Sequence, residues 1–446
     1  MAISASSGPR DLPSPVRKLI DSTDDFSAQM VALIDINKTA LPGLETKWSG
    51  DVGVPDLSHL FAHLGREERN SIQDGFRELA EEMQKAIDAS KKAKEDGLDG
   101  EPWEGVVVRL EGPASTAMDE FFASMFQHIR AGSRSDLMRR SLLVSTISGF
   151  EVLFASIARS IYDVNTSALN DSDYSFTLQQ ISEFSSIEDA REYLVERKAA
   201  ALMRESIDGW EKWLKKAGGG LSMTGLPAEW PTIREAFARR NLVVHAGSKV
   251  NHLYLESIRG LALPESLQGK CVGDVLEVSD RYLTNCLENI LALGRLLSTS
   301  VGLKMHRPHR STFLNMLMGE AKRCSRLGLW TAALPLVKYA LSLGLSRRDE
   351  LEMQAIHWLA VKKLHGVDAI RSDVEAWDTG GLSLVYSHRK YVLLDLKEKA
   401  VTEMRKLLDD GELNALHLLL DPLYFEMREE VVELIKGRNI DAPTLT

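Results

Sequence analysis

Several side chains that could act together on a phosphodiester lie in one short segment, residues 239–250, with the sequence RRNLVVHAGSKV. Histidine titrates near neutral pH, so His245 could serve as a general acid or base. Arg240 stays charged and could stabilise negative charge on phosphoryl oxygens, while Asn241 could orient the histidine or the phosphate. These residue types suit RNA cleavage by a ribose 2′-OH, so Arg240, Asn241 and His245 are the candidate catalytic residues.

A helix that ends at Gly247 would hold these side chains together. Asn241 and His245 are four residues apart and therefore share one helix face. Arg240 lies about a quarter turn to the side, but its long side chain can still reach a ligand on that face. Glycine is the residue type that most often ends a helix, so Gly247 is the predicted C-cap.

The same spacing also fits a solvated arginine pair beside a capping histidine, and chance produces such a match in about one of every few chains this long. Arg239 satisfies a slightly longer Arg-to-His spacing and is the reserve candidate. We assign Arg239 and Lys249 a secondary, substrate-binding role. The alternative for Arg239 is a surface pair with Glu235, four residues earlier on the helix.

Composition limits the classes of function. The chain has 446 residues and a formal net charge of -10, which argues against non-specific coating of nucleic acid but allows a small basic site. Its three cysteines form no close pair, so we expect no disulfide framework or zinc knuckle. We also expect no bound metal and no cofactor. No apolar run reaches membrane-spanning length and no secretory signal is evident, so we expect a cytoplasmic protein without membrane contact.

Hydrophobic periodicity predicts an all-α protein. Residues 1–15 are rich in Ser and Pro and are predicted to be a disordered tail. Residues 16–133 are predicted to form a mostly helical N-terminal domain with at most one short strand, at 105–112. Residues 134–303 are predicted to form a helical bundle.

The bundle prediction depends on an apolar seam with alternating spacings of four and three residues. The seam comprises Leu143, Ile147, Phe150, Phe154, Ile157 and Ile161. A capping box formed by Ser185 and Glu188 is predicted to open a later helix. Trp210 and Trp213 are predicted to be core or helix-packing residues rather than platforms on which bases stack.

The last third of the chain is predicted to be helical as well. Residues 304–310, KMHRPHR, are interpreted as a basic linker, because His306 and His309 have no carboxylate or cysteine beside them to complete a metal site. In residues 311–446, Trp330, Ala333 and Ala340 match the second helix of a tetratricopeptide (TPR) repeat. We therefore expect TPR-like helical hairpins and a surface for a protein regulator.

The segment ARRNLVVHAGSKV resembles the signature helix of HEPN domains, which carries Arg, a polar residue, three mostly apolar residues and His. The segment LVSTISGFEVLFASIARSIY is similar to the first HEPN helix, with Phe150 and Glu151 at its centre. The predicted helix order fits the family too. The resemblance covers roughly residues 134–302, somewhat over a third of the chain.

The resemblance implies a dimer whose two signature helices form a composite, metal-independent endoribonuclease site. It implies that Arg240 stabilises the phosphate, His245 is the acid or base and Asn241 positions the reacting groups. It also suggests a regulated toxin or antiviral defence effector, which is an analogy at the level of the family.

One position departs from some members of the family. Certain HEPN toxins carry, two residues after the histidine, a tyrosine that a partner enzyme modifies, whereas this chain has Gly247 there. Regulation by that route is therefore not expected. Because some HEPN proteins only bind or scaffold, the alternative function is a non-catalytic helical adaptor that mediates dimerisation and partner binding.

Overall fold

The computed structural model describes residues 12–41, 134–170 and 176–436, together with a few positions between residues 64 and 116. The chain divides into two compact units, one formed by Met1–Asn37 with Arg139–Thr446 and the other by Lys38–Met138. In the second unit, residues 66–70 are helical. An exposed ion pair there joins Arg77 to Asp74 at 2.8 Å. The predicted strand at 105–112 lies outside the described residues.

The described part of the chain contains only helices as regular elements, which confirms the all-α prediction. Within that part, the β-type pairing is limited to an isolated bridge between Lys249 and Val275. The helices up to the end of the predicted bundle are α1 (Ser14–Asp35), α2 (Arg134–Val164), α3 (Ser167–Asn170), α4 (Leu178–Glu183), α5 (Ile187–Leu202), α6 (Ile207–Ala217), α7 (Trp230–Ala246), α8 (His252–Ser257) and α9 (Asp280–Met305).

Helix α1 packs on α9 and belongs to the same compact unit as the bundle, not to a separate N-terminal domain. The contact is close because Gly294 of α9 has no side chain, and a Cβ there would lie 2.2 Å from a ring carbon of Phe26. Helix α1 begins at Ser14, so the end of the predicted disordered tail is helical. The predicted domain boundary near residue 15 therefore differs from the division in the structure, where the second unit begins at Lys38.

The predicted apolar seam of α2 lies in the core of the bundle. All six of its residues are fully buried: Leu143, Ile147, Phe150, Phe154, Ile157 and Ile161. Burial of each such side chain contributes about 1.5–3 kcal/mol. The Phe154 ring stacks on Trp210 at a centroid distance of 4.6 Å. The Trp213 indole N–H donates to the Tyr162 hydroxyl at 2.9 Å, so both tryptophans pack as predicted.

By length and composition, the segment Ser135–Val164 of α2 could cross a membrane, which contradicts the expectation that no apolar run reaches that length. The core helix of a helical bundle has the same composition, since every helix face that packs on a neighbour must be apolar. Within this segment Phe150 and Phe154 are fully buried, whereas Val152 is exposed.

The start of helix α5 differs by one residue from the predicted capping box. Ser186, not Ser185, is the N-cap, and its hydroxyl accepts the backbone N–H of Asp189 at 3.0 Å. Ser186 has extended backbone angles while Ile187 is already helical, so the capping position falls on Ser186.

Helix α9 is shared between the bundle and the helices that follow it. The C-terminal helices are α10 (Arg310–Arg326), α11 (Trp330–Leu341), α12 (Arg347–His365), α13 (Asp368–Ala376), α14 (Leu384–Leu393), α15 (Lys397–Asp409), α16 (Ala415–Leu420) and α17 (Arg428–Lys436). The buried Glu288 carboxylate accepts the backbone N–H of Thr331 at 2.9 Å, so α9 caps the N-terminus of α11. Buried Arg295 of α9 donates to Ser27 at 2.9 Å and to Glu320 at 3.2 Å.

The predicted linker at 304–310 is not a free connection. Helix α9 runs to Met305, a 3-10 turn spans Arg307–His309, and α10 begins at the next residue. The His306 ring is buried, lies 3.2 Å from the Ser160 hydroxyl and stacks beside Phe313. Burial lowers the pKa of His306, so this histidine is part of the packing and not of an exposed basic segment.

The C-terminal helices pack as successive hairpins, α10 on α11 and α11 on α12. Ala332, Ala333 and Ala340 of α11 are fully buried, and such small side chains let neighbouring helices approach closely. Trp358 of α12 is buried against Trp377 at a centroid distance of 5.0 Å. This arrangement agrees with the predicted helical hairpins.

Candidate functional site at the end of helix α7

Helix α7 carries the predicted catalytic residues in its last two turns. It begins with a proline at its second residue and ends at Gly247, which has left-handed backbone angles (φ 56°). The next backbone N–H, from Ser248, donates to the Leu242 carbonyl at 3.2 Å and satisfies one of the terminal carbonyls. The prediction that Gly247 caps this helix is confirmed.

The helix turns Arg240, Asn241 and His245 away from the core. Asn241 and His245 are exposed, whereas Leu242 between them is buried. The Arg240 side chain is 20% exposed, and its guanidinium donates to the Asn241 amide oxygen at 3.1 Å. Arg240 and Asn241 thus form one polar group on the surface, and His245 follows one turn later on the same helix.

Glu151 of helix α2 completes this polar group. Its carboxylate pairs with the Arg240 guanidinium and is itself 31% exposed. Partial burial lowers the pKa of Arg240, although a guanidinium keeps its charge at neutral pH. In the sequence, Glu151 stands out only as part of the segment that resembles the first HEPN helix. One signal in the sequence could have identified Glu151: it directly follows Phe150 of the apolar seam. An acidic residue at such a position is partly buried and therefore needs a nearby cation.

His245 is less constrained than Arg240. Among the described residues, no side chain makes a hydrogen bond to the His245 ring, so its orientation is free to adapt to a ligand. Its neighbour Val244 is 51% exposed, and Val152, which follows Glu151 on α2, is 70% exposed. Each of the two helices therefore has an exposed apolar residue next in sequence to one of these polar residues.

Arg239 does not take part in this surface, which contradicts its predicted role as a substrate contact. Its side chain is only 3% exposed and pairs with the buried Glu235 carboxylate at 2.8 Å. The guanidinium also donates to the Glu277 carbonyl at 3.0 Å and lies over the Tyr282 ring at 3.9 Å. The predicted i,i+4 pair with Glu235 is present, but it is buried and not on the surface. Burial and internal pairing leave Arg239 unavailable to RNA.

The Glu235 carboxylate organises a polar network inside the bundle. The hydroxyls of Tyr254 and Tyr282 each donate to it at 2.7 Å, from two different helices. Burial raises the pKa of both tyrosines, and the Glu235 charge raises them further, so both hydroxyls stay protonated donors. Burial alone would lower the pKa of Arg239, but Tyr282 and Glu235 raise it. This network fixes α7 against α8 and α9.

Lys249 lies just beyond the helix end and is exposed. The backbone around it is held by the bridge to Val275, and the Val250 N–H donates to the Asp274 carbonyl at 2.8 Å. No carboxylate lies within ion-pair distance of Lys249 among the residues that the structure describes. The lysine is therefore available to a phosphate, as a secondary substrate contact requires.

Comparisons of the chain with protein-family models, curated proteins and solved structures found no match. The family resemblance therefore rests on the residues themselves: Arg240, Asn241 and His245 with their spacing, the segment around Glu151 and the order of the helices. In the described part of the chain, no three His, Cys, Asp or Glu side chains are grouped as metal ligands would be.

Proposed function

We propose that the chain is a metal-independent endoribonuclease of the HEPN type and that Arg240, Asn241 and His245 form its site. The observation that carries the proposal is the common placement of these three residues in the last two turns of α7, with the amide and the imidazole exposed and the guanidinium at the surface. A purely structural cluster would have buried partners, as Arg239 has.

In the proposed reaction, the ribose 2′-oxygen loses its proton to a base and attacks the adjacent phosphorus. The bond between phosphorus and the 5′-oxygen breaks, and that oxygen takes a proton from an acid. The products carry a 2′,3′-cyclic phosphate and a 5′-hydroxyl. His245 transfers a proton in this scheme, Arg240 stabilises the charge on the phosphoryl oxygens, and Asn241 holds the guanidinium or the phosphate.

Glu151 has a restraining role in this proposal. Its carboxylate pairs with the Arg240 guanidinium, so a phosphate must compete with it. A guanidinium has five N–H donors in a fixed fork, which allows it to keep one carboxylate contact while it binds a phosphate. Glu151 is therefore a positioning residue that also opposes binding of an anion.

We further propose that two copies of the chain assemble the working site, each contributing one α7 helix. Exposed Val244 and Val152 beside the polar group support this assembly, since apolar side chains at this position could be covered by a second copy. Two His245 side chains would then serve as acid and base in one reaction. From the resemblance alone, we propose a cytoplasmic toxin or antiviral effector as the cellular role.

A non-catalytic adaptor is the second candidate. The specific observation in its favour is that Arg240 already has a carboxylate partner while His245 has no hydrogen bond from a described side chain to orient it. A scaffold needs neither a free cation nor an aligned base.

The products of RNA incubation distinguish the two candidates. Purified chain is incubated with total RNA or tRNA in EDTA, and the fragment ends are mapped. The ribonuclease proposal predicts fragments that end in 2′,3′-cyclic phosphate. Intact RNA, together with the absence of toxicity on expression in cells, would favour the adaptor.

A further inference from the structure

A cavity of about 730 Å³ lies among the C-terminal helices, lined by α10, α12, α14, α16 and the turn after α16. Its volume is in the range of about 300–1,000 Å³ that is typical of small-molecule sites. No residue of α2 or α7 lines it, so it is distinct from the Arg240 group.

The base of the cavity is apolar and buried. Ala355, Leu359, Pro422 and Leu423 are buried residues that line it, and they belong to well-packed elements. Leu416 and Leu420 on α16 line another side and remain about half exposed (54% and 46%). This surface suits the hydrocarbon or aromatic body of a ligand, because burying such a body removes apolar area from water on both sides.

The polar part of the lining has an excess of positive charge. Lys322 is neutralised by Glu352 at 2.8 Å. Arg389 has its nearest carboxylate, Asp421, at 3.7 Å, which is beyond hydrogen-bond length. Arg326 and Arg348 line the cavity without a carboxylate partner among the described residues. Four cations thus face two carboxylates, in a chain whose formal net charge is -10.

We propose that this cavity binds a small organic anion, a molecule with a carboxylate, phosphate or sulfonate group attached to an apolar or aromatic body. Arg326 and Arg348 hold the anionic group, and the body rests against the apolar base. Arginine forms paired hydrogen bonds with such groups, and an excess of charge in a concave site attracts anions. The bounded volume favours a small molecule over a peptide.

The test uses 1-anilinonaphthalene-8-sulfonate, an anion with an aromatic body, and the full-length chain. We expect saturable fluorescence enhancement with one site per chain. In the double variant Arg326→Glu/Arg348→Glu, we expect binding to weaken by about tenfold or more, since charged hydrogen bonds are lost. The matched control is Arg347→Glu, which alters an exposed residue outside the cavity next to Arg348. It should bind as the wild type does.

The neutral analogue N-phenyl-1-naphthylamine separates anion recognition from simple apolar binding. We expect it to bind at least about tenfold more weakly than the sulfonate. A second variant, Ile356→Asp, places a charge on the apolar wall and should abolish binding of both dyes at the site. Equal affinity of the two dyes, unchanged affinity in the double variant, or binding without saturation would overturn the proposal. These outcomes are independent of RNA cleavage.

Discussion

The Arg240 guanidinium forms an ion pair with the Glu151 carboxylate, joining helix α7 to the 31-residue helix α2. Each helix thereby presents one charged member of the pair at the surface, next to exposed Asn241. Among the residues that the structure describes, this ion pair links the predicted signature residues to helix α2, and it affects how freely Arg240 can bind a phosphate.

Neutralising Glu151 should strengthen RNA binding. In Glu151→Gln the shape of the side chain is kept, but the competing charge is lost, so we expect about three- to tenfold tighter binding. The measurement is fluorescence anisotropy with 2′-O-methyl RNA, which lacks the attacking hydroxyl. Glu256→Gln, at an exposed carboxylate on α8, is the matched control and should leave the affinity unchanged. Weaker binding by Glu151→Gln would show instead that the carboxylate is needed to hold Arg240 in place.

Loss of Arg239 should affect folding far more than loss of Arg240. Arg239→Ala leaves the Glu235 carboxylate buried without its cation, which should lower the free energy of unfolding by about 3 kcal/mol or more. Arg240→Ala removes a partly exposed pair and should lower it by about 1 kcal/mol or less. Urea denaturation followed by circular dichroism measures both.

The double variant Arg239→Met/Glu235→Gln is the control for this interpretation, because glutamine keeps an oxygen that can accept from Tyr254 and Tyr282. It removes both charges, so it should recover part of the stability that Arg239→Ala loses. Equal stabilities of the two single arginine variants would mean that the Arg239 pair is not the buried support that we describe.

Gly247 should tolerate no other residue without a cost in stability. Its φ of 56° lies in the left-handed region, but a Cβ would meet no atom within 4 Å. Gly247→Ala should therefore destabilise the chain by about 1 kcal/mol through backbone conformation alone. Gly247→Asn should lose less, because asparagine adopts this conformation more readily. Thermal unfolding compares the two, and equal losses would contradict the assignment to backbone strain.

Acidification should destabilise the C-terminal helices through His388. This side chain is fully buried against Tyr424, and burial lowers the pKa of His388 to about 4. The unfolded chain, with a histidine pKa of about 6.5, then binds more protons between pH 6.5 and 4. The contribution of neutral His388 to the free energy of unfolding should be fully present above about pH 6.5. The free energy of unfolding should then fall by about 3 kcal/mol as the pH drops to about 4.

The variant His388→Gln isolates this contribution from other titrating groups. Its free energy of unfolding should decline less steeply than that of the wild type over the same pH range. His417→Gln removes an exposed histidine of the same region and should keep the wild-type slope. Identical slopes in all three proteins would mean that His388 does not titrate as described.

The helical fold and the end of helix α7 could be predicted because both depend on local sequence patterns. The seam from Leu143 to Ile161 and the C-cap at Gly247 follow from spacing and from backbone preference. The role of Arg239 could not be predicted in the same way. Its neighbours Tyr254 and Tyr282 come from other helices, and sequence spacing does not show which of two adjacent arginines faces them.

The domain boundaries could not be predicted from local sequence patterns either. Helix α1 looks like the start of an N-terminal domain, but it packs on α9, more than 240 residues later in the chain. The hydrogen bond from Asn37, in the π-helical turn after α1, to Asp280 of α9 illustrates this contact. The basic neighbours of His306 in the sequence predict that it lies in a polar linker. In the structure it is buried beside Ser160. Both features are set by tertiary contacts between distant segments.

The proposal that Arg240 and His245 form a ribonuclease site is tested most directly by the rate of RNA cleavage in EDTA. This rate is measured for His245→Ala and Arg240→Ala and compared with the rates of two matched control variants. The controls are His252→Ala and Arg259→Ala, which remove the same residue types at exposed positions outside the site. We predict that each site variant folds as the wild type does and loses about 100-fold or more in rate. Both controls should cleave at the wild-type rate. Cleavage by His245→Ala and Arg240→Ala at that same rate would contradict the account.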